Sequence, residues 1–177
     1  MRLALLLTLL PVSAPAAEFA FCWGGAGGHV LEGRMTVPDA ALAKPLVTEA
    51  DVTAFAIAGY LDGRPVGGWS LDELTPRTAW NLNFDPAAME FVTGGYSTSP
   101  RGQAWNARGS VDDCGRPGFG FNSGAGSQDV CIDDTWRIDS VIAAETPFPV
   151  HPADSAPPCL AAPVIGTAPQ SHPPPRS

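Results

Sequence analysis

The sequence predicts an all-β fold, an antiparallel β-sandwich or partly closed barrel of about seven to nine short strands with one or two single helical turns. Three observations carry this expectation. Apolar and polar residues alternate over short runs, as on strands with one buried face. Clusters of Gly, Pro, Asn and Asp punctuate those runs at roughly even spacing. No segment has the length of a packed helix, so the crossover helices of a parallel sheet are missing and an α/β fold is not expected.

Residues 1–16 read as a signal peptide to be set aside from the fold. Arg2 supplies a positive start, Leu3–Leu10 form an apolar run, and Ala14-Pro15-Ala16 is an A-x-A cleavage site. The run is about half the roughly 20 residues of a membrane span. The protein is therefore expected to be exported, to the periplasm or the extracellular medium. The domain is expected over 17–145 and a Pro-rich, largely disordered tail over 146–177, where ten of the 33 residues from Glu145 onward are proline.

Strand signals then follow in order. Phe19, Phe21 and Trp23 alternate before Gly24-Gly25-Ala26-Gly27-Gly28 breaks the chain. Leu31, Met35 and Val37 share a face opposite Glu32, Arg34 and Thr36, with Gly33 marking a bulge or a close approach. Thr53–Leu61 and Arg64–Trp69 flank Asp62-Gly63, the signature of a type I′ hairpin turn. That hairpin tolerates Pro65 only at a free edge or a bulge.

Trp80, Leu82 and Phe84 alternate with Asn81 and Asn83. Asp85-Pro86-Ala87-Ala88 reads as a type I turn, and Met89 and Phe91 return. These five apolar residues are the expected core of a second hairpin. Ser70-Leu71-Asp72-Glu73 is a capping-box pattern stopped by Pro76, leaving about one helical turn. Thr48–Asp51 and Pro38–Leu42 read as similar turns. Residues 94–128 are rich in Gly, Ser and Asn, anchored by Trp105, Phe119 and Phe121. Val130–Ile138 is expected to be one strand bent at Asp133-Asp134.

Four cysteines in an exported chain point to two disulfides, and without a C-x-x-C spacing no metal site is expected. Closing the short Gly-rich segment between Cys114 and Cys131 costs least entropy, which leaves Cys22 to pair with Cys159. The formal charge of −8, with Lys44 as the single lysine, argues against nucleic acid and anionic lipid as partners. No segment after the first sixteen residues approaches a membrane span.

Catalytic signatures are absent. Gly68-Trp69-Ser70-Leu71-Asp72 lacks the second glycine of a nucleophile elbow, and Gly118–Ser123 lacks the third glycine of a dinucleotide loop. His29 is the one histidine inside the expected domain and reads as a surface residue. Asp112-Asp113, Asp129 and Asp133-Asp134 fit no calcium loop and read as solvated turn residues. Neither catalytic residues nor a cofactor is expected. Trp69 and Trp105, next to loops, are the candidate ligand-binding residues, because an exposed indole stacks on sugar rings. The favoured function is a non-catalytic envelope or secreted binding protein with a glycan or other envelope component as partner. The alternative is a small exported hydrolase using a carboxylate pair.

Four segments also carry a resemblance: Cys22–Gly28, Gly33–Asp39, Thr48–Phe55 and Asn81–Pro86. In this order they resemble uncharacterised exported proteins of bacteria, some of which carry a PEP-type C-terminal sorting signal. The likeness spans roughly residues 19–135 and implies export and a β-rich domain. The C-terminal residues show neither the sorting motif nor its apolar helix and basic cluster, so anchoring by that route is not expected.

Overall fold

The computed structural model describes residues 15–159. The proposed signal peptide, apart from its last two residues, and the tail from 160 onward lie outside them. In chain order the strands are β1 (Ala16–Gly24), β2 (His29–Pro38), β3 (Val47–Thr48), β4 (Ala54–Leu61), β5 (Arg64–Ser70), β6 (Ala79–Asn81) and β7 (Asn83–Asp85). They continue with β8 (Glu90–Phe91), β9 (Gln103–Asn106), β10 (Phe119–Ser123), β11 (Gln128–Ile132), β12 (Thr135–Trp136) and β13 (Phe148–Pro152).

The fold is all-β, as the alternation predicts. One antiparallel sheet runs β3-β7-β8-β13-β1-β2-β4-β5 and the other β12-β11-β10-β9-β6. One of the two curls into a half-barrel. Among the described residues thirteen strands replace the expected seven to nine, because several span only two or three residues and show no alternation of their own. Four short 3-10 turns appear among the described residues instead of one or two. In the turns after Thr48 and Ser70, an acidic side chain returns to the cap backbone: Thr48 N–H donates to Asp51 and Ser70 N–H to Glu73, each at 3.1 Å.

The longest strands are held by their inward faces. Phe19, Phe21 and Trp23 of β1, Leu31 and Met35 of β2, and Phe55 and Ile57 of β4 are all buried. Gly33 continues the ladder without a bulge, and the Phe21 ring lies over it. A Cβ there would sit 2.3 Å from that ring. The first hairpin forms as read: Asp62 and Gly63 have φ of 50° and 76°, and Leu61 faces Arg64. Pro65 lies on the edge strand beside a register shift at Gly59/Tyr60, so no partner misses its N–H.

Three expectations are corrected. The hairpin of Trp80–Phe91 is divided between the sheets. β6 pairs with β9, the chain crosses at Leu82, and β7 pairs with β8. Leu82, Phe84 and Phe91 are fully buried, whereas Trp80 and Met89 only pack against the core. The strand bent at Asp133-Asp134 is instead a two-residue hairpin: both aspartates take positive φ and Ile132 faces Thr135. The tail does not begin at 146. Phe148–Pro152 forms β13 between β8 and β1, with Phe148 and Val150 buried. Proline counted against a strand there, yet Pro149 faces outward between Phe148 and Val150 and Pro152 is the exposed last residue, which leaves the buried residues free to pack.

Open space surrounds Gly63, so Gly63→Val reports backbone strain alone. It is expected to cost about 1–2 kcal/mol, read as a lower denaturation midpoint with an unchanged slope.

Candidate functional site

Small side chains facing solvent on one sheet create the principal concavity. The outward positions of the eight-stranded sheet are Ala20 and Cys22 on β1, Glu32 and Arg34 on β2, Ala56 and Ala58 on β4, and His151 on β13. Pairing aligns them in rows: His151–Ala20–Arg34–Ala56 and Cys22–Glu32–Ala58. The inward neighbours are bulky, so the sheet is thick on one side and nearly bare on the other.

A strap crosses this bare face. After β13 the chain turns at Ala153, whose N–H donates to Glu18 O at 2.9 Å, and returns over β1 to Cys159. The Cys22–Cys159 disulfide fixes its end there. Between strap and sheet lies an open groove of about 680 Å³, floored by Ala20, Ala56 and Ala58 and walled by Ala156, Pro157 and Pro158. Beyond Arg34 a smaller concavity of about 360 Å³ continues over Thr36, Ala54 and Ser70.

The groove's polar groups are few. Tyr60 Oη donates to Glu32 Oε1 at 2.6 Å, and the carboxylate it faces pushes the tyrosine hydroxyl above its ordinary range. Arg34 is exposed, lines both concavities and has no ion-pair partner among the described residues. His151 lies on the same row, across Ala20.

The second disulfide, Cys114–Cys131, also matches the expected pairing. It fixes the 107–118 loop over the outer face of the smaller sheet. Asn122 donates to Val111 O, Trp136 Nε1 to Asp112 O, and both sulfur-bearing residues are fully buried.

Trp69 and Trp105 cannot serve as exposed stacking platforms. They are 4% and 0% exposed, and Trp69 Nε1 donates to Trp105 O at 3.3 Å. Their neighbouring loops suggested exposure, but β5 and β9 turn both rings into the space between the sheets. His29, read as a surface residue, is buried, with Nδ1 3.1 Å from Ala26 O and Nε2 without a partner. The Gly-rich turn folds over it.

One aspartate of each acidic pair serves the backbone. Asp113 accepts from Ser110 N–H and pairs with Arg77, while Asp133 accepts from Gly118 N–H. Among the described residues, no three His, Cys, Asp or Glu side chains form a group able to hold a metal ion.

Sequence reading missed the groove because a run of alanines carries no chemical motif. The available signal was the alternation Ala54-Phe55-Ala56-Ile57-Ala58, which places a small residue at each solvent-facing position, together with a Pro-rich segment tied back by Cys159. Comparison with known protein families, curated proteins and solved structures finds no match to this chain.

Asp129, part-buried beside Asn122, has its carboxyl pushed up by burial, against an opposing hydrogen bond from Ser127. A raised folded-state value favours the protonated carboxyl, so this stability is present at acidic pH and fades as pH rises through that value. Asp129→Asn is therefore expected to raise the thermal midpoint at pH 7 and to leave it nearly unchanged at pH 3, measured by calorimetry.

Proposed function

We propose that this is an exported, non-catalytic binding protein whose ligand is a single apolar chain ending in a carboxylate, held in the groove on the outer face of the larger sheet. The observation that carries this reading is the alanine-floored groove with Arg34, which has no ion-pair partner among the described residues, at its margin. Its size lies within the roughly 300–1,000 Å³ of small-molecule sites.

The chemistry of the floor favours an acyl chain over a peptide or a sugar. Within the sheet, backbone N–H and C=O groups are committed to neighbouring strands. A peptide lying on that face would bury polar groups without partners, at about 1–3 kcal/mol each. A glycan needs an aromatic platform, and the five tryptophans are buried or part-buried elsewhere, while Tyr60, part-buried and bonded to Glu32, does not line the groove. A hydrocarbon chain has neither requirement, and a guanidinium is matched to its carboxylate.

Half-covering about eight methylenes contributes about 3 kcal/mol, at about 0.8 kcal/mol per fully buried CH₂. A charge-assisted hydrogen bond adds about 2 kcal/mol. The resulting Kd is of the order of 0.1 mM.

Export is part of the same proposal. Cleavage after Ala16 preserves the β1 pairing from Ala17↔Val37 onward, and both disulfides suit an oxidising compartment. Intact mass of the protein from its native envelope or medium should place the first residue at Ala17. A full-length cytosolic product rejects export.

Fluorescence titration with dansyl-labelled undecanoate tests the ligand. Saturable binding is expected, weakened about thirtyfold by Arg34→Ala and abolished by Ala56→Trp, which fills the exposed floor. Binding indifferent to both substitutions, or none in the wild type, rejects the reading.

A further inference from the structure

We propose that the Cys22–Cys159 disulfide is a site of thiol–disulfide exchange, opened by a dithiol reductant, and that its opening releases the strap from the groove while the rest of the fold stays intact. The inference comes from the contrast between two disulfides that do similar jobs on opposite outer faces.

Cys114 and Cys131 are both 0% exposed. The loop they hold is secured independently by Ala79 N–H to Gly109 O at 2.8 Å, Asn122 Nδ2 to Val111 O at 2.9 Å and Trp136 Nε1 to Asp112 O at 3.0 Å. With no exposed surface, these sulfurs are shielded from an attacking thiolate in the intact fold, and breaking the bond would not by itself free the loop.

Cys22 and Cys159 are each half-buried, and both line the groove. Ala153 N–H donates to Glu18 O, and Ser155 N–H closes a local turn on Pro152 O. Beyond Ser155 no backbone hydrogen bond joins the described strap to the sheet. Pro157 and Pro158 have no N–H to offer, and both are exposed. One covalent bond therefore holds the distal strap, and Cys22 retains its place in β1 by ladder hydrogen bonds and not through sulfur.

In the exchange, a thiolate of the reductant attacks one sulfur and forms a mixed disulfide. The other cysteine leaves as a thiolate and takes a proton. The reductant's second thiol then displaces the remaining cysteine, so the reductant leaves oxidised by two electrons and the protein holds two thiols. Ala156, Pro157 and Pro158 cease to wall the groove. That this changes ligand affinity rests on the binding reading above; the selective opening and strap release do not.

The test uses the oxidised mature chain, titrated with dithiothreitol, quenched with iodoacetamide and peptide-mapped. Cys22 and Cys159 are expected to be alkylated at least about tenfold faster than Cys114 and Cys131, because exposure governs access to the sulfur. At that stage hydrogen exchange at Ala153 and Ser155 should rise at least about tenfold, while the near-ultraviolet circular dichroism of the aromatic core is retained. The double variant C22S/C159S should reproduce the exchange pattern without reductant. Opening of Cys114–Cys131 first, loss of all four bonded cysteines together with the core signal, or an unchanged strap after selective opening overturns the proposal. If dansyl-labelled undecanoate binds neither redox state, the ligand reading fails, and the alkylation and exchange results still decide the strap.

Discussion

Trp105 is the side chain through which the two sheets are joined. Its ring centroid lies 4.9–5.7 Å from those of Phe21, Phe55, Phe91, Phe121 and Phe148. Four of these belong to the larger sheet and Phe121 to the smaller one. Aromatic pairs contribute about 0.5–1.5 kcal/mol each beyond the area they bury. Against this stands the indole N–H of Trp105, buried without a partner, at about 1–3 kcal/mol. Five ring contacts outweigh one unmade hydrogen bond, so the indole stays central despite its unpaired donor.

That central ring leaves little room for regular strands around it, and side-chain amides complete the backbone pairing that short strands leave undone. Gln103 accepts from Asn83 N–H and donates to Asn83 O and Val92 O. Asn81 and Asn83 both donate to carbonyls of the 97–102 loop. Gln128 accepts from Trp23 Nε1 and donates to Ala144 O and Thr146 O. In each case a buried or part-buried amide replaces ladder bonds where the chain leaves one sheet for the other, which a buried backbone requires. The crossing at Leu82 is thus tied to the core from both sides.

This also marks where the sequence stopped being legible. The long strands could be read because their period is local: β1, β2 and β4 alternate over eight residues or more. The Asp62-Gly63 turn could be read because both residues suit positive φ. Asn81 and Asn83 look like ordinary solvent-facing positions. The burial of Asn83 and the part-burial of Asn81 depend on a change of sheet at Leu82 that no local pattern records. Asp133-Asp134 was misread for a related reason: aspartate tolerates positive φ but signals it less clearly than glycine. The pairing of Cys22 with Cys159 was legible by entropy, yet its consequence was not. Seeing a groove required knowing that the strap lies over the alanine face of β4.

The separation of inner and outer faces bears on what the protein can do. The aromatic core and the amide network that define the fold lie between the sheets or at their crossings, whereas Ala20, Ala56, Ala58 and Arg34 contribute nothing to either. Side chains on the bare face can therefore change without disturbing the packing that holds the strands. The smaller sheet lacks this freedom, because Gly120 lies so close to Asn106 that a Cβ would meet its side-chain oxygen, and the pinned loop fills the space above. Of the two outer faces, the larger sheet's combines bare side chains, an enclosing wall and a cation unpaired among the described residues. Its chemistry can vary with little cost to the core that supports it.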